Sequence, residues 1–136
     1  MKVNTQIKLS GIVLRGDGYG KKLGFPTANI DRRQYARSRA QIRLGIYGGT
    51  ARLVNNNSKD NDNPKVFLAG IVVGPVDKQG LPKIEAHLIG FKGNLYGKKI
   101  ELQLKKYLRV WKAEKNAAAV KKMIAQDITA IKKMHL

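Results

Sequence analysis

The sequence contains no cysteine and only two histidines, and both scarcities exclude classes of function. Without cysteine no disulfide and no thiolate metal site can form, and with only two histidines a metal site made of His and Cys is excluded. The serines lie outside any Gly-x-Ser-x-Gly context, which argues against a hydrolase of the Ser-His-Asp type. The absence of cysteine is typical of proteins in a reducing compartment, so we expect a cytoplasmic location.

Long apolar runs are also missing. No stretch approaches the roughly 18–20 apolar residues that a membrane-spanning helix needs. The segment from Met1 to Gly11 lacks the apolar centre of a signal peptide. The chain of 136 residues is long enough for a core of its own, and we expect one domain over residues 1–136 that acts as a monomer.

Acidic residues are scarce: 9 Asp and Glu stand against 27 Lys and Arg, giving a net charge of +18. Such a charge attracts nucleotides, nucleic acids and acidic membranes. It has two interpretations, a general lysine preference that favours solubility or a nucleic-acid surface. The basic residues are spread along the whole chain, and the few aromatic residues do not lie along a basic strand as stacking platforms usually do, so we do not expect a nucleic-acid partner.

The first two-thirds of the chain has the pattern of β-strands. Apolar and polar residues alternate within 83–88 and 100–108, and 65–73 is nearly continuously apolar, as in a strand buried on both faces. Strand formers also fill 7–14 and 44–54. Short strands without helical patterns between them predict a mainly β fold, a closed antiparallel barrel over about residues 5–110.

Two polar segments interrupt this pattern. Residues 55–64 are asparagine-rich and predict a hairpin loop, and the basic segment 31–42 is interpreted as a mobile flap beside the glycine-rich segment. After the barrel, Asn116 is suited to cap a helix. We predict one amphipathic helix over about residues 116–134, packed on the barrel by apolar residues at helical spacing: Val120, Ile124, Ile128 and Ile131. A membrane-surface helix is the alternative for this lysine-rich segment.

Residues 16–29 form the most informative segment. Three glycines at alternate positions let the backbone approach a ligand closely, and two lysines follow with charges suited to phosphate. After the stiff Pro26, Thr27 and Asn29 offer neutral oxygens of the kind that a hard cation accepts. The segment predicts a nucleotide-phosphate and magnesium site, and a plain hairpin loop is the alternative. Its spacing matches neither a P-loop nor a dinucleotide fingerprint.

A second candidate lies in the strand over 83–88. Alternation places Lys83, Glu85 and His87 on the face opposite the core. Glu85 is therefore either an ordinary exposed glutamate or a carboxylate positioned to accept a proton from an alcohol. Three aromatic residues near the end of the barrel either belong to the core or stack on a planar ligand: Tyr96, Tyr107 and Trp111.

Taken together, these motifs resemble the riboflavin kinase (flavokinase) family over nearly the whole chain. The resemblance rests on Pro-Thr-Ala-Asn after a glycine-rich loop, followed by Glu-x-His and Leu-Tyr-Gly. The matching segments are Gly11 to Gly16, Leu23 to Asn29, Gly45 to Tyr47, Glu85 to Leu88, Phe91, Leu95 to Gly97, and Leu108 with Arg109.

The resemblance implies a six-stranded Greek-key barrel with a C-terminal helix. It also implies transfer of the γ-phosphoryl group of ATP to the 5′-hydroxyl of riboflavin, giving FMN and ADP. Because no nucleotidyltransferase segment accompanies these motifs, we expect FMN as the final product.

The resemblance also assigns roles to individual residues. Thr27 and Asn29 would hold Mg²⁺ and the phosphates, and Glu85 would be the catalytic base. The flavin side would include Arg109, to which we add Tyr96 and Trp111 as stacking candidates. The ATP side would include the glycine-rich loop and the residues that follow it: Gly18, Gly20, Lys21, Leu23 and Pro26.

Some positions depart from the family pattern. Val72, Val76 and Trp111 replace residues that the family usually carries as glycine, threonine and an acidic residue or phenylalanine. They motivate a further alternative, a flavin-binding relic without catalysis. A basic barrel that binds nucleic acid remains the other alternative to a kinase.

Overall fold

The computed structural model describes residues 7–15, 19–33, 35, 42–54 and 65–134. The predicted hairpin loop over 55–64 and most of the predicted flap therefore lie outside the described residues, as does Gly18. The elements whose bounds lie within the described residues are six strands and two helices: β1 (Ile7–Leu14), α1 (Tyr19–Lys22), β2 (Ala28–Ile30), β3 (Gly45–Val54), β4 (Val66–Val76), β5 (Pro82–Leu88), β6 (Lys99–Arg109) and α2 (Ala117–Lys132).

The strands form a closed antiparallel barrel with the neighbour order β1-β2-β5-β4-β3-β6. Within the described residues every strand has two neighbours, so no edge is left open to pair with another chain. The predicted barrel and its C-terminal helix are confirmed. Asn116 caps α2 as predicted, because its side-chain oxygen accepts a hydrogen bond of 2.8 Å from the backbone N–H of Ala119.

Alternation along the strands explains how the barrel is filled. In β5, Ile84, Ala86 and Leu88 are buried while the residues between them are half-buried or exposed. In β6, buried Ile100, Leu102 and Leu104 follow the same rule. Side chains at every second position therefore form the core, and the intervening positions of β5 remain on the outer surface of the barrel for function.

The outer face of β4 carries the C-terminal helix. Ile131 of α2 is fully buried. A Cβ added at Gly70 would lie 3.4 Å from Ile131 Cδ1. Glycine at this position therefore leaves room for the helix to pack closely on β4. This packing explains why β4 is apolar on both sides. The prediction of full burial was too strong, because outward-facing Leu68 and Val72 are half-buried beside a helix that covers only part of the strand.

Two short elements were not predicted. β2 has only three residues, yet it pairs with both β1 and β5 and is needed to close the barrel. α1 is a single turn within the glycine-rich segment, where we had predicted a loop.

Gly49 provides a test of how closely β3 and β6 approach each other. A Cβ at Gly49 would lie 1.8 Å from the carbonyl oxygen of Gln103, whose backbone cannot move without disturbing β6. We expect Gly49→Ala to lower the free energy of unfolding by about 3 kcal/mol, at the upper end of overpacking costs. Urea denaturation measures the change. Gly70→Ala is the matched control, and an equal loss in both variants would contradict the prediction.

Candidate active site

Two adjoining cavities lie at the barrel, and they share Thr27 in their walls. The larger, of about 440 Å³, is enclosed by the outer faces of β4 and β5, the end of β6 and one side of α2. The residues that line this large cavity include Phe25, Thr27, Val72, Lys83, Glu85, His87, Arg109, Trp111, Val120, Met123, Ile124, Asp127 and Ile128. Its walls combine apolar side chains from α2 with charged groups from the strands, as is typical of small-molecule sites.

The small cavity, of about 350 Å³, is lined by residues of β2 and β5 and of the segment 91–96, and its walls include the core residues Ala28 and Leu88. It is more polar, with two lysines and two asparagine side chains in its walls. The lining residues include Lys21, Pro26, Thr27, Asn29, Phe91, Lys92, Asn94 and Tyr96. Cationic and amide groups around a cleft are suited to an anionic ligand.

Thr27 lines both cavities and therefore marks the point where they meet. Next to it, β2 and β5 pair in the register Ala28 with Ala86 and Asn29 with Glu85. Residues directly opposite each other in an antiparallel pair project from the same face, with Cβ atoms about 4.5–5.5 Å apart. The barrel therefore places the amide of Asn29 beside the carboxylate of Glu85, although the two residues are far apart in sequence.

His87 connects β5 to the segment before β2. Its Nδ1 lies 2.7 Å from the carbonyl oxygen of Pro26. Because a carbonyl oxygen only accepts, Nδ1 carries the hydrogen and Nε2 is the other ring nitrogen to consider for a ligand. The ring of Phe25 packs edge-on against the imidazole at 5.8 Å between centroids. His87 therefore positions the Pro26–Asn29 segment.

Arg109 and Asp127 form a bidentate ion pair in the wall of the large cavity. Arg109 Nε donates to Asp127 Oδ1 at 3.0 Å, and Nη2 donates to Oδ2 at 2.8 Å. A third donor, Nη1, reaches the carbonyl oxygen of Val110 at 3.2 Å. The pair joins the last strand of the barrel to α2 and so holds two walls of the cavity together.

Arg32 joins the end of β2 to the turn before β5. It donates from Nη1 to the carbonyl oxygen of Leu81 at 3.0 Å and forms an ion pair with Asp77. Burial alone would raise the pKa of the Asp77 carboxyl. The hydrogen bonds from Arg32 and from the backbone N–H groups of Leu81 and Gln79 outweigh it, so this pKa is lowered from 3.8.

Comparison with known proteins decides the family. The profile described as Flavokinase: Riboflavin kinase matches residues 3–135. The chain belongs to the riboflavin kinase family. The resemblance that the sequence motifs indicated is therefore confirmed.

Relatives in this family include proteins at least twice as long as the region that this chain matches. The chain is 30% identical over 126 residues to the RNA-binding riboflavin kinase RibR of Bacillus subtilis (strain 168), covering 92% of this chain and 50% of that protein. It is 30% identical over 123 residues to the bifunctional riboflavin kinase/FMN adenylyltransferase of Mycoplasma pneumoniae, covering 90% of this chain and 40% of that protein. The chain thus spans half or less of the length of these relatives.

Solved structures share the fold. Riboflavin kinase from Trypanosoma brucei superposes with a TM-score of 0.66 at 19% identity, over 93% of this chain and 75% of that one. A macrolide-efflux protein from Streptococcus pneumoniae superposes with a TM-score of 0.75 at 18% identity, over 93% of this chain and 38% of that protein. At these identities the likeness concerns the fold alone.

The structure gathers most of the predicted site residues around the two cavities of this kinase-family barrel. Leu23, Thr27, Glu85, Arg109 and Trp111 line the large cavity. Lys21, Pro26, Thr27, Asn29 and Tyr96 line the small one. Gly20 lies in the backbone of α1.

The three aromatic residues do not form one cluster. Tyr96 lines the small cavity beneath Arg15, whose guanidinium carbon is 4.8 Å from the ring centre, whereas Trp111 lines the large cavity. Tyr107 packs edge-on against Tyr47 at 5.2 Å and lines neither cavity. The structure therefore separates Tyr96 from Arg109 and Trp111, with which the sequence analysis had grouped it.

Sequence reasoning missed Asp127. It lies three residues after Ile124 and one before Ile128, on the side of α2 that carries the apolar stripe, and it is the one acidic residue in that helix. A carboxylate within an otherwise apolar stripe was the available signal. The stripe itself was interpreted as core, yet Val120, Ile124 and Ile128 line the large cavity.

The described part of the chain contains no group of three or more His, Cys, Asp or Glu residues that would hold a metal ion unaided. Among the described helices, none has the length and apolar character needed to cross a membrane.

The Arg32–Asp77 pair predicts a specific acid sensitivity. Because the pKa of Asp77 is lower in the folded protein than its usual 3.8, the carboxylate stabilises the fold above about that pH. This contribution is lost as the pH falls through the folded-state pKa. We expect Asp77→Asn to reduce the dependence of unfolding free energy on pH below about 4, measured by urea denaturation at several pH values. An unchanged pH slope in the variant would contradict this assignment.

Proposed function

We propose that this chain is an ATP:riboflavin 5′-phosphotransferase that produces FMN and ADP. The observation that carries the proposal is the meeting of two cavities at Thr27, beside the paired Asn29 and Glu85. Direct phosphoryl transfer requires two substrates whose reacting ends adjoin, with a proton acceptor at the junction. We further propose that the barrel and α2 act as one cytoplasmic, monomeric domain.

The large cavity is the proposed flavin site. Riboflavin is uncharged and carries a broad aromatic ring system, which suits a cavity walled by apolar side chains of α2 and by the indole of Trp111. The ring carbonyls and nitrogens need hydrogen-bond donors, and the guanidinium of Arg109 is available in the same wall. The ribityl chain would extend toward Thr27 and Glu85.

The small cavity is the proposed ATP site. Lys21 and Lys92 carry ammonium groups that suit the phosphates, and Tyr96 offers a ring face to a base. Of the residues predicted for ATP, four line this cavity: Lys21, Pro26, Thr27 and Asn29. Leu23, also predicted for ATP, lines the large cavity instead. This arrangement moves Tyr96 from the flavin side, where sequence reasoning had put it, to the nucleotide side.

Thr27 and Asn29 are the proposed protein ligands of Mg²⁺. Neutral oxygens at neighbouring outward positions fit a cation that keeps several waters and takes few protein ligands. Within the described residues neither side chain is engaged in a hydrogen bond, so both oxygens are available to a ligand. When bound with ATP, the ion would neutralise charge on the transferred phosphoryl group.

Glu85 is the proposed general base. It lines the large cavity and is paired in register with Asn29. Its carboxylate would accept the proton of the riboflavin 5′-hydroxyl as the new oxygen–phosphorus bond forms and the bond to the ADP oxygen breaks. Lys83 and His87 flank it on the same face, and His87 holds the Pro26–Asn29 segment in place.

Nucleic acid is not required by this proposal. One relative is named as RNA-binding, but this chain spans only half of that protein. The net charge of +18 by itself supports only attraction that weakens as salt rises. The cavities account for the clustered site residues without a nucleic-acid partner.

Glu85→Gln tests the proposed chemistry. We expect kcat for FMN formation to fall by about 10²–10⁴, because the amide cannot accept the proton while its shape is preserved. FMN resolved by chromatography from riboflavin, ATP and Mg²⁺ is the measurement, repeated with a chelator. Glu101→Gln is the matched control, because Glu101 pairs with Arg52 and lines neither cavity.

Full turnover in Glu85→Gln would remove the proposed base. If the unaltered protein binds riboflavin but forms no FMN, the relic that Val72, Val76 and Trp111 suggested becomes the correct interpretation.

Trp111 provides an independent test of where the flavin binds. It is the single tryptophan of the chain, is 44% exposed and lines the large cavity, so tryptophan emission reports on that cavity alone. We expect riboflavin to quench this emission in a saturable way without ATP, because the ring system would lie close to the indole. Saturable binding seen by flavin fluorescence with no change in tryptophan emission would place the flavin elsewhere.

A further inference from the structure

The guanidinium of Arg109 is fixed by a residue that follows it by 18 positions. Asp127 accepts from Nε and Nη2 through separate carboxylate oxygens, which is the planar fork geometry that arginine and carboxylate share. The two side chains are 26% and 16% exposed, so water screens the pair only in part. Both residues line the large cavity.

This pairing leaves part of the guanidinium available. Arginine has five N–H donors. Asp127 takes two, and the carbonyl oxygen of Val110 takes a third. Within the described residues the remaining two, one on Nη1 and one on Nη2, have no protein acceptor. Because the guanidinium is planar and held at three points, the directions of these two donors are fixed.

The pairing also changes the charge that the cavity presents. A free guanidinium favours an anion, whereas a guanidinium neutralised by a carboxylate acts mainly as a rigid hydrogen-bond donor. Riboflavin has no charge, and its ring offers acceptors. A neutral, directional donor is therefore better matched to riboflavin than an unpaired cation would be.

We propose that Asp127 is a positioning residue for the flavin: it holds Arg109 in the orientation that presents its two remaining donors to the ring acceptors of riboflavin in the large cavity. The ligand identity rests on the proposed function. Asp127 itself acts through Arg109. The competing explanation is that Asp127 only anchors α2 to the barrel.

The experiment measures the riboflavin Kd by flavin fluorescence, and riboflavin KM and kcat by FMN formation. The variants are Asp127→Asn, Arg109→Lys and the double variant. Asp127→Asn preserves side-chain shape but loses the charge. Lysine cannot form the bidentate pair, so it removes the group through which Asp127 acts. Asn116→Ala is the matched control, because it weakens α2 through its cap and Asn116 is not among the residues that line the large cavity.

We expect Asp127→Asn to raise the riboflavin Kd and KM about tenfold, as loss of a charge-assisted bond would, with kcat changed less than about twofold. Asp127→Glu keeps the carboxylate, so its riboflavin Kd should lie between that of the unaltered protein and that of Asp127→Asn. In the Arg109→Lys background, Asp127→Asn should change Kd less than about twofold, because coupled residues are not additive. Asn116→Ala should lower stability and leave Kd within about twofold.

Three results would overturn the inference. One is an equal rise in Kd from Asn116→Ala, which would make Asp127 a helix anchor. Another is the same effect of Asp127→Asn in both backgrounds, since Asp127 would then act without Arg109. The third is no riboflavin binding by the unaltered protein. Binding without FMN formation would defeat the proposed kinase activity alone, because the Kd comparison still decides the role of Asp127.

Discussion

Two residue pairs, Ala28 with Ala86 and Asn29 with Glu85, join β2 to β5, and the geometry of the candidate active site depends on them. This two-pair ladder is short, and side-chain hydrogen bonds on either side of it add support. His87 bonds the carbonyl oxygen of Pro26 before β2, and Arg32 bonds that of Leu81 before β5. Since a slip of one residue would turn every side chain to the opposite face, these contacts keep Asn29 and Glu85 on the outside of the barrel together.

The large cavity depends on a different contact, the docking of α2. Ile131 packs over Gly70 at one end of the helix, and the Arg109–Asp127 pair holds it nearer the middle. Before Asp127, the helix contributes Val120, Met123 and Ile124 to the lining of the cavity, and Ile128 follows on the same side. One apolar face of α2 thus both anchors the helix to the barrel, through Ile131, and forms a wall of the large cavity. Asp127 lies on this face and pairs with Arg109 in the cavity wall.

Strand alternation allowed most of the barrel to be predicted, because periodicity records which face is buried. β2 was not predicted because three residues are too few to show a periodic pattern, and the need for this strand follows only from closure of the barrel. Thr27, Asn29 and Glu85 could be proposed from their chemistry, but their juxtaposition depends on non-local pairing. Tyr96 and Trp111 were grouped because they are near in sequence, whereas the chain between them crosses the barrel in β6 and separates them. The family resemblance could not show how far apart Tyr96 and Trp111 lie in the fold, since it assigns roles to residues and gives no contacts between them.

The distribution of acidic groups gives the high positive charge a physical consequence. Ion pairs within the described residues involve Asp31, Asp77, Glu101, Glu114 and Asp127. Each such pair cancels at a distance, so the long-range field comes mainly from unpaired lysines. If the small cavity binds ATP as proposed, such a field would favour the approach of the anionic nucleotide and would have little effect on a neutral flavin. Under the proposed function, selection of riboflavin would then come from short-range contacts in the large cavity, where the paired Arg109 would act as a directional donor and not as a free cation.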